Sequence, residues 1–210
     1  MIDSPLYPVN LVLAGRSCLV VGGGDIAARK VVGLLACGAD VTVIAPEVVE
    51  ELVEEPRVKV EQRRFRPGDC ADRWFVVVAT DDSAVNEAVA ADATAHRVWI
   101  NAADDPGNCS ATLPAVFRQG ELTVAVATGG RSPAMASWLR DSIAADLGPE
   151  IAELLTIVAE VRLELRSAGQ STEGLGWRQA LDSDMLALIR AGHTDRAKER
   201  LHACLSSSSV

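Results

Sequence analysis

Three consecutive glycines are the first residues of this sequence whose types and spacing could do chemistry. Residues 22–27, GGGDIA, fit the pattern G-x-G-x-x-A, with an apolar run before them and a helix-like stretch after them. At such a turn, backbone N–H groups and the positive end of the helix dipole can bind the phosphates of a dinucleotide. A tight turn without a ligand is the alternative explanation.

Residues that could contact the rest of a dinucleotide lie at or just after the ends of two further apolar runs, DVTVIA and WFVVVA. They are Ala45, Pro46, Glu47, Ala79 and Thr80. A NAD site usually has an acid at the end of the second strand, where Ala45 stands here. Either Glu47 replaces that acid or backbone groups bind the ribose. Since no arginine follows this strand to bind a 2′-phosphate, NAD is favoured over NADP.

Carboxylates follow two of the predicted strands, and they have different expected roles. Asp81 and Asp82 are expected to cap the next helix, because acids are favoured in a first helical turn. Asp104, in the segment NAADDP that begins at Asn101, could accept a proton as a hydride leaves a substrate. An ordinary turn is the equally weighted alternative for Asp104, since Asp before Asp-Pro is common turn chemistry.

A second glycine loop resembles the first one and predicts a second anion site. It comprises Thr128, Gly129, Gly130, Arg131 and Ser132, between an apolar run and Pro133. Arg131 would supply a charge with bidentate geometry for a carboxylate ligand. The alternative is a helix N-cap with a flexible lead-in.

The order of the elements predicts an α/β fold, a Rossmann-like doubly wound parallel sheet. Strands are predicted over 16–21, 40–45, 58–60, 74–79 and 98–101, with helices over 25–37 and 83–95. Two more strands, 111–116 and 122–128, precede helices over 132–147, 150–167, 177–190 and 194–205. We therefore predict a NAD-binding domain (1–113), a dimerisation region (114–149) and a small helical domain with a frayed Ser-rich tail (150–210).

Composition restricts the partners. The net charge of −9 disfavours nucleic acid and anionic lipid as ligands. No apolar run reaches the length of roughly 20 residues that spans a bilayer, and the first residues do not resemble a signal peptide. Five cysteines without C-x-x-C spacing indicate reduced thiols and a cytoplasmic protein. The three histidines are scattered along the sequence, which disfavours a permanent metal site.

Four segments, VVGGGDIAARK, ATDD, NAADDP and TGGRSP, in this order and spacing, resemble the precorrin-2 dehydrogenase/sirohydrochlorin ferrochelatase family. This family is the amino-terminal module of siroheme synthase and also occurs as a free-standing protein. The resemblance implies a homodimer that oxidises precorrin-2 with NAD, with ferrous iron as a transient substrate if the chelatase activity is present. It implies Asp104 as the catalytic residue. The implied cofactor contacts are Gly22, Gly23, Gly24, Asp25, Ile26, Ala45, Pro46, Glu47, Ala79 and Thr80.

A polycarboxylate tetrapyrrole requires local cations on this acidic chain. Asn101 and the second glycine loop are the candidate substrate contacts. The candidate cations are Arg29, Lys30, Arg118, Arg131 and Arg140, with Arg131 ranked first for its place beside that loop. Three other functions stay open at this point: a nucleotide-sensing regulatory module, an NAD(P)-dependent reductase of a small metabolite, and a family member that only dehydrogenates.

Overall fold

The computed structural model describes residues 5–103, 105–181 and 184–207. The chain divides into two units, which we describe separately. The first comprises Met1–Leu113 with Thr128–Ser132, and the second comprises Pro114–Ala127 with Pro133–Val210.

The first unit contains a five-stranded parallel sheet with the order β3-β2-β1-β4-β5. Its strands are β1 (Ser17–Val21), β2 (Asp40–Ala45), β3 (Val58–Gln62), β4 (Phe75–Val78) and β5 (Trp99–Ala102). Its helices are α1 (Asp25–Leu35), α2 (Glu50–Glu54) and α3 (Ser83–Ala95), and a 3₁₀ turn follows at Pro106–Asn108. The strand order reverses beside β1, so the ligand-binding crevice of this fold is expected at the carboxyl ends of β1 and β4.

Alternate residues of β1 pack into two separate cores, one on each face of the sheet. Cys18 and Val20 belong to the core that includes Val31 of α1. Leu19 belongs to the core that includes Val89 of α3. Because both faces are covered, residues 18–21 are all apolar instead of alternating with polar residues. The predicted doubly wound sheet is therefore confirmed.

The structure differs from the predicted boundaries in small ways. The first helix ends at Leu35, two residues early, and α2 (Glu50–Glu54) was not predicted because five residues show no helical periodicity. The strand predicted over 58–60 extends to Gln62. As an edge strand, β3 is covered less than the central strands, which weakens its apolar signal.

The second unit begins with a hairpin of β6 (Ala115–Gln119) and β7 (Leu122–Val126), against which α4 (Pro133–Asp146) packs. The strand predicted over 111–116 is wrong at its start. Ser110 and Ala111 instead donate their backbone N–H groups to the carbonyl of Ile100, each at 2.9 Å. They cover the free edge of β5, whose outward backbone groups would otherwise lack partners.

Four helices complete the second unit: α5 (Glu150–Ser167), α6 (Trp177–Leu181), α7 (Met185–Arg190) and α8 (Thr194–Ser207). Their shared core includes Ile157 and Val161 of α5, Met185 of α7 and Leu201 of α8. The single helix predicted over 177–190 is described as two short ones. None of the helices in the described ranges combines the length and apolarity needed to cross a membrane.

Candidate functional site

The first glycine turn fits closely against the ends of the neighbouring strands. Gly22 donates its N–H to the carbonyl of Ile44 at 3.0 Å and has a φ of +125°. A Cβ at Gly22 would lie 2.2 Å from the carbonyl oxygen of Ala79, and one at Gly23 would lie 2.0 Å from that of Glu47. Both positions therefore exclude every side chain on steric grounds.

Gly24 is different, because a Cβ there would meet nothing within 4 Å. It is the N-cap residue of α1, and among the described residues no side chain hydrogen-bonds to the N–H groups of that helix end. The first-turn N–H groups thus face open space with the positive end of the helix dipole. Ala27 is fully buried, which lets α1 pack closely on the sheet. This geometry fits a pyrophosphate.

A cleft of about 1030 Å³ opens in front of this turn. All of the residues predicted to contact a dinucleotide line it: Gly22, Gly23, Gly24, Asp25, Ile26, Ala45, Pro46, Glu47, Ala79 and Thr80. The structure therefore brings three separate sequence segments to one place, at the carboxyl ends of β1, β2 and β4. The volume and the open helix end suit an extended nucleotide.

Sequence reasoning missed one wall of the cleft, formed by Arg64, Phe65 and Pro67. These residues lie in the connection from β3 to β4, which must cross β2 and β1 because of the strand order. The available signal was their position directly after a strand, at the edge where parallel sheets bind ligands.

A buried carboxylate on α3 holds that connection in place. Asp92 is 8% exposed and accepts hydrogen bonds from the N–H of Gly68 at 2.8 Å and of Cys70 at 3.0 Å. Burial raises the pKa of the Asp92 carboxyl, but these hydrogen bonds outweigh it, and the pKa lies below its ordinary value. The cleft wall is therefore anchored by a charged group that stays ionised.

The turn between β4 and α3 is closed by its own side chains. Asp82 accepts hydrogen bonds from the N–H groups of Ala84 (3.0 Å) and Val85 (3.2 Å), which confirms its predicted capping role. Thr80 accepts a hydrogen bond from the N–H of Asp82 at 2.9 Å. Asn86, also missed from the sequence, donates its Nδ2 to the carbonyl of Thr80 at 3.3 Å. Thr80 is thus held from two sides at the cleft.

The end of β5 brings Ala103 into the cleft lining, directly before position 104. Asp104 itself lies outside the described residues. Asn101 is buried and donates its Nδ2 to the carbonyl of Ala111 at 3.0 Å, and it is not among the described residues that line the cleft.

A thiol supports the end of β5 on its free edge. Cys109 Sγ lies 3.2 Å from both the backbone nitrogen and the carbonyl oxygen of Ala102, accepting from one and donating to the other. Burial raises the pKa of the Cys109 thiol, so it stays protonated and can donate.

The second glycine loop is held by hydrogen bonds between its own residues. Thr128 Oγ1 donates to the carbonyl of Ser132 at 3.0 Å and accepts from its N–H at 3.2 Å. The N–H of Arg131 donates to the carbonyl of Thr128 at 3.1 Å. None of the loop residues, Thr128, Gly129, Gly130, Arg131 and Ser132, is among the described residues that line the cleft.

Two further results concern charge and metals. Arg140 pairs with its neighbour Asp141 at 2.7 Å, so one of the candidate cations already has a carboxylate partner. Within the part of the chain that the structure describes, no three His, Cys, Asp or Glu side chains converge as a metal site would require.

Two family models match the chain. The model described as "Putative NAD(P)-binding" matches residues 9–115, just over half of the chain, and so covers the whole parallel sheet. The model described as "Sirohaem biosynthesis protein central" matches residues 119–145, which include β7 and nearly all of α4.

Individual proteins give a consistent result. Siroheme synthase from Nitrosococcus oceani is 35% identical over 208 residues, covering 97% of this chain and 44% of that protein. Siroheme synthase from Methylococcus capsulatus is 34% identical over 199 residues, covering 92% and 42%. The chain thus spans less than half the length of these relatives. The solved structure "SirC, precorrin-2 dehydrogenase" has a TM-score of 0.70 and 27% identity, covering 96% of this chain and 100% of that one.

Proposed function

This chain belongs to the NAD(P)-binding family of siroheme biosynthesis proteins, and we propose that it is a dehydrogenase that uses NAD to oxidise precorrin-2 to sirohydrochlorin. The observation that supports this most is the cleft, which is lined by Gly24 at the uncapped end of α1 and by every other predicted cofactor contact. NAD, when bound, accepts the hydride. The chain must then bind and orient both reactants and remove a proton.

Asp104 is the proposed general base of the reaction. Its neighbour Ala103 lines the cleft, so the chain is at the crevice directly before position 104. A carboxylate there would take the proton that leaves the macrocycle as the hydride departs. The Cys109 thiol, which is hydrogen-bonded to the backbone of Ala102, would hold the end of β5 in a fixed position.

The proposed substrate contacts are Asn101 and the second glycine loop with Thr128, Gly129, Gly130, Arg131 and Ser132. The Arg131 guanidinium suits the carboxylates of a tetrapyrrole because its fork geometry matches a carboxylate. We confine the proposal to dehydrogenation. Ferrous iron would enter only as a substrate.

A homodimer is the proposed assembly, with residues 114–149 as the dimerisation region and 150–210 as a small helical domain. Helix α4 leaves Met135 (53%), Trp138 (63%) and Ile143 (38%) exposed, although it already packs on the hairpin. Exposed apolar residues on one helix are typical of an interface. Trp138→Glu should convert the dimer to monomer in sedimentation equilibrium, while Val53→Glu, on α2 and 55% exposed, should not.

The cytoplasm is the proposed location. The thiols of Cys18, Cys70 and Cys109 form no disulfide, as expected in a reducing compartment. Burial also raises the pKa of the Cys18 thiol to about 11, which disfavours its oxidation.

The test is an absorbance assay with purified protein, NAD and precorrin-2. We expect conversion to sirohydrochlorin, and we expect Asp104→Ala to abolish it while NAD still binds. Asp40→Ala should leave turnover intact, because Asp40 lies at the amino-terminal end of β2 and the cleft lies at the carboxyl ends of the strands. Unchanged turnover in Asp104→Ala would remove its assigned role, and absence of turnover in the unmodified protein would refute the dehydrogenase.

A further inference from the structure

We propose that Arg64 recognises the 2′-phosphate of NADP, so that this cleft accepts NADP as well as NAD. The inference rests on the proposed dinucleotide site and concerns which cofactor that site selects. The sequence alone favours NAD over NADP, because no arginine directly follows the second strand.

Because of the strand order, an arginine reaches the cleft from a different segment, the connection between β3 and β4. The connection from β3 to β4 starts at the same sheet edge as the end of β2, and it places Arg64 in the lining of the cleft together with Pro46 and Glu47. The end of the second strand is where dinucleotide-binding folds read the adenosine ribose, and an arginine there accommodates a 2′-phosphate. Arg64 follows the strand that pairs with β2 and lines the same cleft as Pro46 and Glu47, which is the basis for assigning it to the 2′-phosphate.

The backbone of Arg64 is fixed by the residue before it. The Arg63 guanidinium binds both carboxylate oxygens of Asp69, at 2.7 and 2.8 Å, and also the carboxylate of Glu61. The same guanidinium donates to the carbonyl of Arg64 at 3.1 Å. Because Arg63 uses its donors to anchor the loop, it is not available to a ligand.

Two more anchors keep the loop against α3. Asp92 accepts the N–H groups of Gly68 and Cys70, and Phe65 packs against the core beneath the sheet. The loop thus forms a preorganised wall, which reduces the entropy lost when a ligand is bound.

The Arg64 guanidinium, in contrast to that of Arg63, is available to bind a ligand. It forms no ion pair with any described residue, and Arg64 is exposed at the cleft. A guanidinium offers paired donors that match phosphate oxygens, with a stronger bond than neutral donors give.

Glu47 provides the opposite preference in the same cleft. Its carboxylate suits the ribose hydroxyls of NAD and repels a 2′-phosphate. Its position is set by the backbone, since the N–H of Val49 donates to the carbonyl of Gly23 at 2.8 Å across the segment. With an acid and a guanidinium both present, Arg64 offsets the repulsion, and the site accepts either cofactor.

The test is calorimetric titration of NAD and of NADP into the unmodified protein, Arg64→Ala, Arg66→Ala and Glu47→Gln. We expect the unmodified protein to bind NADP within about tenfold of NAD, and Arg64→Ala to weaken NADP binding by roughly tenfold or more with little change for NAD. Glu47→Gln should shift the ratio towards NADP. Arg66→Ala, an exposed arginine of the same loop outside the cleft lining, should change neither affinity.

The outcomes separate this inference from the proposed function. If the unmodified protein binds NAD but not NADP, or if Arg64→Ala weakens both cofactors equally or neither, the role of Arg64 is refuted while the dehydrogenase stands. If neither dinucleotide binds, the proposed function fails with it.

Discussion

The two glycine turns of this chain share a sequence pattern but need glycine for different reasons. At the first turn, Gly22 and Gly23 have no room for a side chain, since a Cβ would lie 2.2 or 2.0 Å from a neighbouring carbonyl oxygen. At the second turn, Gly129 and Gly130 have open space around them, and their φ values of +62° and +75° are what favours glycine. The first turn requires glycine for packing at both positions and for its positive φ only at Gly22, whereas the second turn requires it for conformation alone.

This difference shows what each turn can do. The first turn is packed on one side by the ends of two strands, β2 and β4, and is open only at Gly24, so it presents a rigid surface to a ligand. The second turn is closed by the hydroxyl of Thr128 and has no close packing at its glycines. The proposed cofactor site is thus held by close packing, and the proposed substrate loop is held by its own hydrogen bonds.

The largest expected effect is on stability at the two turns. Gly23→Ala should lower the free energy of unfolding by about 3 kcal/mol or more, because the new methyl group meets backbone that cannot move away. Gly129→Ala should cost only about 1–2 kcal/mol, the strain of a left-handed residue with free space. Denaturant unfolding of both variants measures the difference. Equal losses would show that the two turns do not differ in packing.

A smaller effect is expected at the wall of the first site. Asp92→Asn should destabilise the protein by about 1–3 kcal/mol at neutral pH, because a buried charge-assisted contact to Gly68 and Cys70 is weakened. The folded-state pKa of Asp92 is depressed, so its contribution is present above the unfolded-state value of about 3.9 and is lost as pH falls through the folded value.

The pH dependence of unfolding provides the check on Asp92. The gap between Asp92→Asn and the unmodified protein should shrink as the pH is lowered below that range. Asp40→Asn, an exposed carboxylate, serves as the control. A gap that is constant with pH would mean that the charge of Asp92 does not stabilise the wall.

The smallest effect is expected at the second turn. Thr128→Val keeps the side-chain shape but removes both hydrogen bonds to Ser132, which should cost about 1 kcal/mol. Trypsin cleavage after Arg131 should become faster, since the loop is then closed only by backbone contacts. An unchanged cleavage rate would mean that the hydroxyl does not hold this turn.

Much of the first site could be predicted from the sequence because its signals are local. The glycine turn, the cap at Asp82 and the ends of the buried strands each occupy a few consecutive residues, and the central strands β1 and β4 are mostly apolar because both of their faces are covered. Adjacent residues therefore contain the information, and the strand order follows from right-handed crossovers.

The wall with Arg64 could not be predicted in this way, because it depends on contacts between distant residues. Asp92 holds Gly68 across 24 positions, and no pattern in residues 63–73 indicates that a helix further along will fix them. The strand predicted over 111–116 starts too early for a similar reason. Ala111 serves the edge of β5, and its use there depends on the sheet being complete.

The most direct test of the account is titration of NAD into Gly24→Ala. The new methyl group meets no protein atom within 4 Å, so stability should change by less than about 1 kcal/mol, as for a substituted N-cap. The methyl group would stand where the pyrophosphate approaches the backbone, so NAD affinity should fall by roughly tenfold or more. A folded variant that binds NAD as tightly as the unmodified protein would contradict the cofactor site at this turn.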